Sequence, residues 1–170
     1  QTEWENEVSI DIINYIKSEL YLDFPFFSIA LGALLPLPKE EIITFATDGS
    51  VIYFSAKQLI RVFKNNTYYL DRVYLHSMLH CMFSHLWIAG QRDRQLWGIA
   101  CDIVVEYVID HMYKPCTKRA LSWIRQQMYG EIEKLSGISA VVVYYFIEKM
   151  DREKLSAVAQ EFFTDDHRFW

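Results

Sequence analysis

An α+β domain that is mostly helical is what this sequence predicts, on three observations. Most of the chain carries apolar residues at intervals of three and four, the period of a helix with one buried face. One stretch breaks that rhythm, with β-branched and aromatic residues on both sides of Asp48-Gly49, a strong hairpin signal. Finally, 170 residues of which 52% are apolar suffice for a sizeable core.

In chain order, the first segment sets Trp4, Val8, Ile12, Tyr15, Ile16 and Leu20 on one helical face. "FPFFSIALGALL" reads as a shorter helix stopped by Pro36 and Pro38. Thr44–Phe54 reads as two antiparallel strands turning at Asp48-Gly49. Ser55 is placed to cap the next helix. A long apolar helix then runs from Thr67 to a stop near Gly90, and another from Asp93 to Pro115. A helix ending at Gly130 follows, and then two more, over "SAVVVYYFIEKM" and "DREKLSAVAQEFF". Val141, Val142 and Val143 suit a strand by composition, but the length and position of their segment favour helix. Trp87 and Trp97 are expected in the core.

The chain reads as one domain over 1–170. Because it opens on Gln1, it is expected to be cut from a longer protein. A net charge of -5 and the absence of a basic stripe argue against nucleic-acid binding. The longest apolar run is too short for a bilayer and is interrupted by proline, so no membrane span is expected. Cys81, Cys101 and Cys116 show no paired spacing and are read as reduced core thiols of a cytoplasmic protein.

The chemistry concentrates in "YLHSMLHCMFSHLW". His76 and His80 are four apart, so one helix face presents both to a single metal ion. His85 lies five further on, about 140° around a straight helix. It reads as a group that hydrogen-bonds a ligand, or as a core histidine. In the next helix Asp102 and Glu106 are again four apart in an apolar setting, where a carboxylate needs a cation or donors. Two antiparallel helices offering His76, His80 and Asp102 would build a zinc site with one open position. His111 is expected to be exposed at a helix end, where a cation is favoured. Asp166 and His167 are further candidates from the chain's last residues.

Read together, "TDGSVIYFS", "LHSMLHCMFSH", "LWGIACDIVVE" and the closing "DDHRFW" resemble the bacterial metallopeptidase domain that often precedes a von Willebrand factor A-like domain. The resemblance covers roughly Thr44 to Asp110. It implies a zincin-like fold with a small sheet over the metal-site helix, His76, His80 and Asp102 as zinc ligands, and His85 at the family's third histidine. A C-terminal von Willebrand factor A-like domain is the implied neighbour in the full-length protein. The catalytic glutamate of that pattern is Ser77 here, and the asparagine after its tryptophan is Gly98. A serine cannot hold the proton of a metal-bound water near neutral pH, and loss of a general base costs roughly 10²–10⁴-fold in rate. If the rest of the site is intact, a glutamate restored at 77 is expected to recover hydrolysis.

Two function classes follow. One is a catalytically impaired or inactive metallopeptidase-like domain, retained for zinc binding or for a peptide or protein partner. The other is an active metal-dependent hydrolase using another base, with Glu106 the nearest candidate. The alternative for Glu106 is a surface or network carboxylate.

Overall fold

The computed structural model describes residues 2–170, which gather into two compact units. One comprises the chain up to Leu86 with Lys114–Cys116 and Asp165–Trp170. The other comprises Trp87–Tyr113 and Thr117–Thr164. The expected class is observed: eight α-helices and one three-stranded sheet among the described residues. No described helix is long and apolar enough to cross a membrane.

In the first unit, α1 (Thr2–Asp23) packs on α3 (Ala56–Phe63) and α4 (Thr67–Met82). Ile12, Ile16 and Leu20 are buried on its inner face, joined by Ile13. Trp4 and Tyr15, expected on that face, are exposed; Tyr15 meets Phe63 edge-on at its margin. A 3-10 turn (Pro25–Phe27) leads into α2 (Ser28–Ala33). Pro36 and Pro38 do not merely stop that helix. They lie in a strand, β1 (Leu35–Pro38), which pairs in parallel with β3 (Val51–Phe54). The hairpin of β2 (Phe45–Thr47) and β3 is antiparallel as expected, so the sheet order is β1-β3-β2. Its turn is wider than a two-residue loop. Only Gly49 of the Asp-Gly pair takes positive φ (93°), while Asp48 Oδ1 accepts the amides of Ser50 and Val51 at 2.8 Å. Ser55 caps α3 as expected, accepting from the Gln58 amide.

The edges of this sheet decide what it can bind. Leu35 N–H donates to Ser50 O and Lys39 N–H to Phe54 O, so alternate residues of β1 face β3. The positions facing outward are Pro36 and Pro38, which have no N–H to offer. At the other edge, Asp166 N–H donates to Phe45 O at 2.8 Å, and Ala46 forms a parallel bridge with Asp166. A peptide adding to this sheet as a strand would thus meet a proline edge on one side and the chain's own last residues on the other.

Asp71, in the middle of α4, is 2% exposed, and its Oδ1 accepts no hydrogen bond from the described residues. Burial, with Glu19 and Asp23 nearby on α1, pushes its carboxyl up to about 7. A carboxyl whose pKa is raised by folding destabilises the fold in the charged form. The penalty is absent below about pH 4, grows between about 4 and 7, and is full above that. Asp71→Asn is therefore expected to raise the thermal midpoint at pH 8 and to leave it nearly unchanged at pH 4. Equal shifts at both pH values would refute this.

The second unit is helical. In it α5 (Arg94–Asp110) packs against α7 (Ala140–Ile147) and α8 (Arg152–Phe162), and α6 (Trp123–Ile132) packs against α8. Asp93, Ser122, Ser139 and Asp151 each cap the following helix by accepting an amide in its first turn. The valine run is helical, as expected. Helix α6 continues through Gly130 instead of ending there. Trp97 is buried, but Trp87, also expected in the core, is 61% exposed. Cys101 and Cys116 are buried and Cys81 half-buried, and none forms a disulfide.

Candidate metal centre

Helix α4 supplies the first two groups of the site. Its residues from Leu70 to His80 are all buried, so the spacing of His76 and His80 places both imidazoles in the interior. Their Nε2 atoms lie 2.8 Å apart.

The helix then ends earlier than expected, at Met82 and not near Gly90. Ser84 takes the left-handed conformation (φ 62°) usually left to glycine. Its N–H donates to Cys81 O, and His85 N–H donates to His80 O at 3.0 Å. That pair of bonds is the Schellman ending of a helix. It turns His85 back, so that His85 Nδ1 meets His80 Nδ1 at 2.9 Å. A straight helix would have carried His85 away; the break brings it behind the His80 ring. If His80 Nε2 keeps its lone pair for a metal, its proton sits on Nδ1 and donates to His85. Zinc-binding imidazoles are held in this way, with the second nitrogen donating to a fixed acceptor. His85 is 3% exposed and fills the hydrogen-bonding role expected of it.

The other two groups come from the segment after α8. Asp165 is buried, and its Oδ1 lies 2.9 Å from His167 Nε2, 3.4 Å from His76 Nε2 and 3.6 Å from His80 Nε2. The Trp170 ring stacks on His167, with centroids 3.8 Å apart, and meets His80 edge-on at 4.7 Å. The ligand atoms of His76, His80, Asp165 and His167 all lie within 4.8 Å of one another. Tetrahedral zinc with bonds of about 2.0–2.1 Å separates its donors by roughly 3.3 Å, close to the spacings found here. Three imidazoles and one carboxylate are also a donor set that zinc accepts. These side chains can hold a metal ion.

Asp165 was not singled out from sequence; Asp166 was. In an extended segment successive side chains point to opposite faces, so His167 and Asp165 turn inward together and Asp166 turns out. There Asp166 pairs with Arg168, whose Nε lies 2.8 Å from its Oδ2. Strand alternation counted back from His167 is the signal that could have found Asp165.

Burial alone would raise the Asp165 carboxyl. The neighbouring His76, His80 and His167 outweigh burial and hold it well below the usual carboxylate range. Its second oxygen, Oδ2, accepts from Ser77 Oγ at 2.6 Å, both groups being buried. The Ser77 hydroxyl is thereby committed to fixing a carboxylate.

Asp102 and Glu106 belong to the second unit and are buried on α5. Glu106 is a network carboxylate, not a surface one: its Oε2 accepts from Arg125 Nη1 at 2.7 Å. The same Nη1 also donates to Asp110 Oδ2 at 2.9 Å, and Arg125 Nε to Glu161 Oε1 at 2.9 Å. His111 is exposed at the C-cap of α5, as expected, with Nδ1 2.7 Å from Tyr107 O.

Compared with known protein families, with curated proteins and with solved structures, the chain matches none.

Proposed function

We propose that the first unit is a zinc-binding, metallopeptidase-like domain that has given up peptide hydrolysis and works as a metal-stabilised binding module. The observation that carries this reading is the convergence of buried His76, His80 and Asp165 with half-buried His167, their ligand atoms within 4.8 Å of one another. Four donors complete the coordination of a structural zinc, whereas a catalytic site keeps one position for water. Asp102, which the sequence resemblance implies as a ligand, is not needed to complete that set. Bound zinc would cross-link α4 to the last residues of the chain, and would polarise a water only if a position stayed open.

The residues around the site support loss of catalysis. Ser77 donates its proton to Asp165 instead of taking one from water. Glu106, the alternative base, is committed to the Arg125 guanidinium, which donates to it at 2.7 Å. The competing reading, an active hydrolase using Glu106, rests on the family resemblance alone.

Protein purified without added metal is expected to carry one zinc per chain. His80→Ala and Asp165→Ala should lose it. With zinc present, the unmodified chain should leave a mixed peptide library uncut. Zinc-free protein that cannot be reloaded would sink the metal reading. Zinc-dependent cleavage abolished by Glu106→Gln would establish the hydrolase instead.

A further inference from the structure

We infer that Asp165–Trp170 is a metal-dependent latch over the β2 edge, so that zinc occupancy decides whether that edge is open to an extended peptide. This rests on the zinc site proposed above and names its regulation. The segment makes two sets of contacts at once. On its inner side, Asp165 and His167 reach the α4 histidines, and Trp170 lies on His167 and His80. On its outer side, Asp166 N–H donates to Phe45 O. The Phe169 ring packs on Tyr53 with centroids 4.6 Å apart, beneath the Lys39 ammonium at 4.7 Å.

One tripeptide, Asp165-Asp166-His167, thus alternates between site, edge and site. Its backbone cannot leave β2 while both flanking side chains stay on the histidines, and the reverse also holds. The two equilibria are therefore linked, and each must strengthen the other by the same factor. Among the sheet's edges only β2 can admit a strand, because β1 presents Pro36 and Pro38 outward. When the ion leaves, the donors lose its cross-link and keep only their hydrogen bonds, Ser77 to Asp165 and His167 to Asp165 among them. Without that cross-link, the Asp166–Phe45 hydrogen bond and the Phe169 contacts with Tyr53 and Lys39 carry more of the hold on the sheet, against the entropy of ordering six residues.

The test uses a residue that touches no ligand. Phe169→Ala removes the contact with Tyr53 and Lys39 and leaves the donors intact. Zinc affinity of the metal-stripped full chain is measured by competition with a chromogenic chelator, and amide exchange of the last residues is followed with and without zinc. Zinc should slow exchange of the Asp166 amide, and Phe169→Ala should weaken zinc by fivefold or more, the lower end of usual coupling. Lys39→Ala, which takes the cation away from outside the segment, should shift affinity in the same direction if Phe169→Ala fails to fold. Zinc bound with affinity indifferent to both changes, or Asp166 exchange indifferent to zinc, overturns the latch and leaves the metal site standing. A chain that binds no zinc overturns the metal reading, and the latch with it.

Discussion

Arg125→Met is expected to destabilise the second unit by about 3–5 kcal/mol, the usual cost of breaking a buried ion pair from one side. Arg125 is 2% exposed and carries the charge balance of a buried cluster. Besides Glu106, Asp110 and Glu161, its Nη1 lies 3.3 Å from Tyr129 Oη, and Tyr129 donates to Asp110 at 2.6 Å. The Phe162 ring lies under the guanidinium, 4.8 Å from its carbon. Removing the cation leaves carboxylates facing one another in a low-dielectric interior. They must then take up protons or let water in. Denaturant unfolding of Arg125→Met and of Arg125→Met with Glu106→Gln checks this. The double variant should recover part of the loss, since one stranded charge is gone. A single variant within 1 kcal/mol of the parent would show the network to be dispensable; that margin is well below the typical cost of about 3–5 kcal/mol.

At position 77 the structure reverses what the sequence suggests. Read as a motif, Ser77→Glu restores a peptidase base. In the folded site, however, Ser77 Oγ lies 2.6 Å from Asp165 Oδ2 with neither group in contact with solvent. A glutamate there would set a second carboxylate against the first, and like charges at that distance cannot both remain ionised. Ser77→Glu is expected to lose zinc and gain no hydrolysis. Ser77→Ala keeps the space and removes only the donor. It should cost about 1.5–3 kcal/mol, as hydrogen bonds to charged groups do, and weaken zinc by roughly 10–100-fold. Zinc affinity and peptide-library cleavage measured on both variants decide the matter. Cleavage by Ser77→Glu would mean that the site tolerates a carboxylate at 77 and can use it as a base.

What was legible in the sequence were features governed by neighbours along the chain. Helical period, the Ser55 cap and the Asp48-Gly49 turn depend on residues within about four positions of each other. So does the shared face of His76 and His80, which brings their Nε2 atoms to 2.8 Å. Other features depended on where distant segments meet. The outer residues of an amphipathic face, such as Trp4 and Tyr15, are buried only as far as a neighbour extends over them. Pro36 and Pro38 looked like punctuation because a strand that leaves its outward N–H positions to proline has no local signature. Ser84 ends α4 in a conformation that sequence rules assign to glycine, and that ending alone returns His85 to His80. Asp165 became a site residue because the last segment docks beside β2 through a bridge at Asp166, and a one-residue slip in that register would have turned Asp166 inward instead. The sequence by itself determined which residue types could bind a metal and which helix presents two of them. The tertiary structure decided which carboxylate of the first unit completes the set, and that Ser77 holds it, because the register of two segments far apart in the chain is fixed by packing.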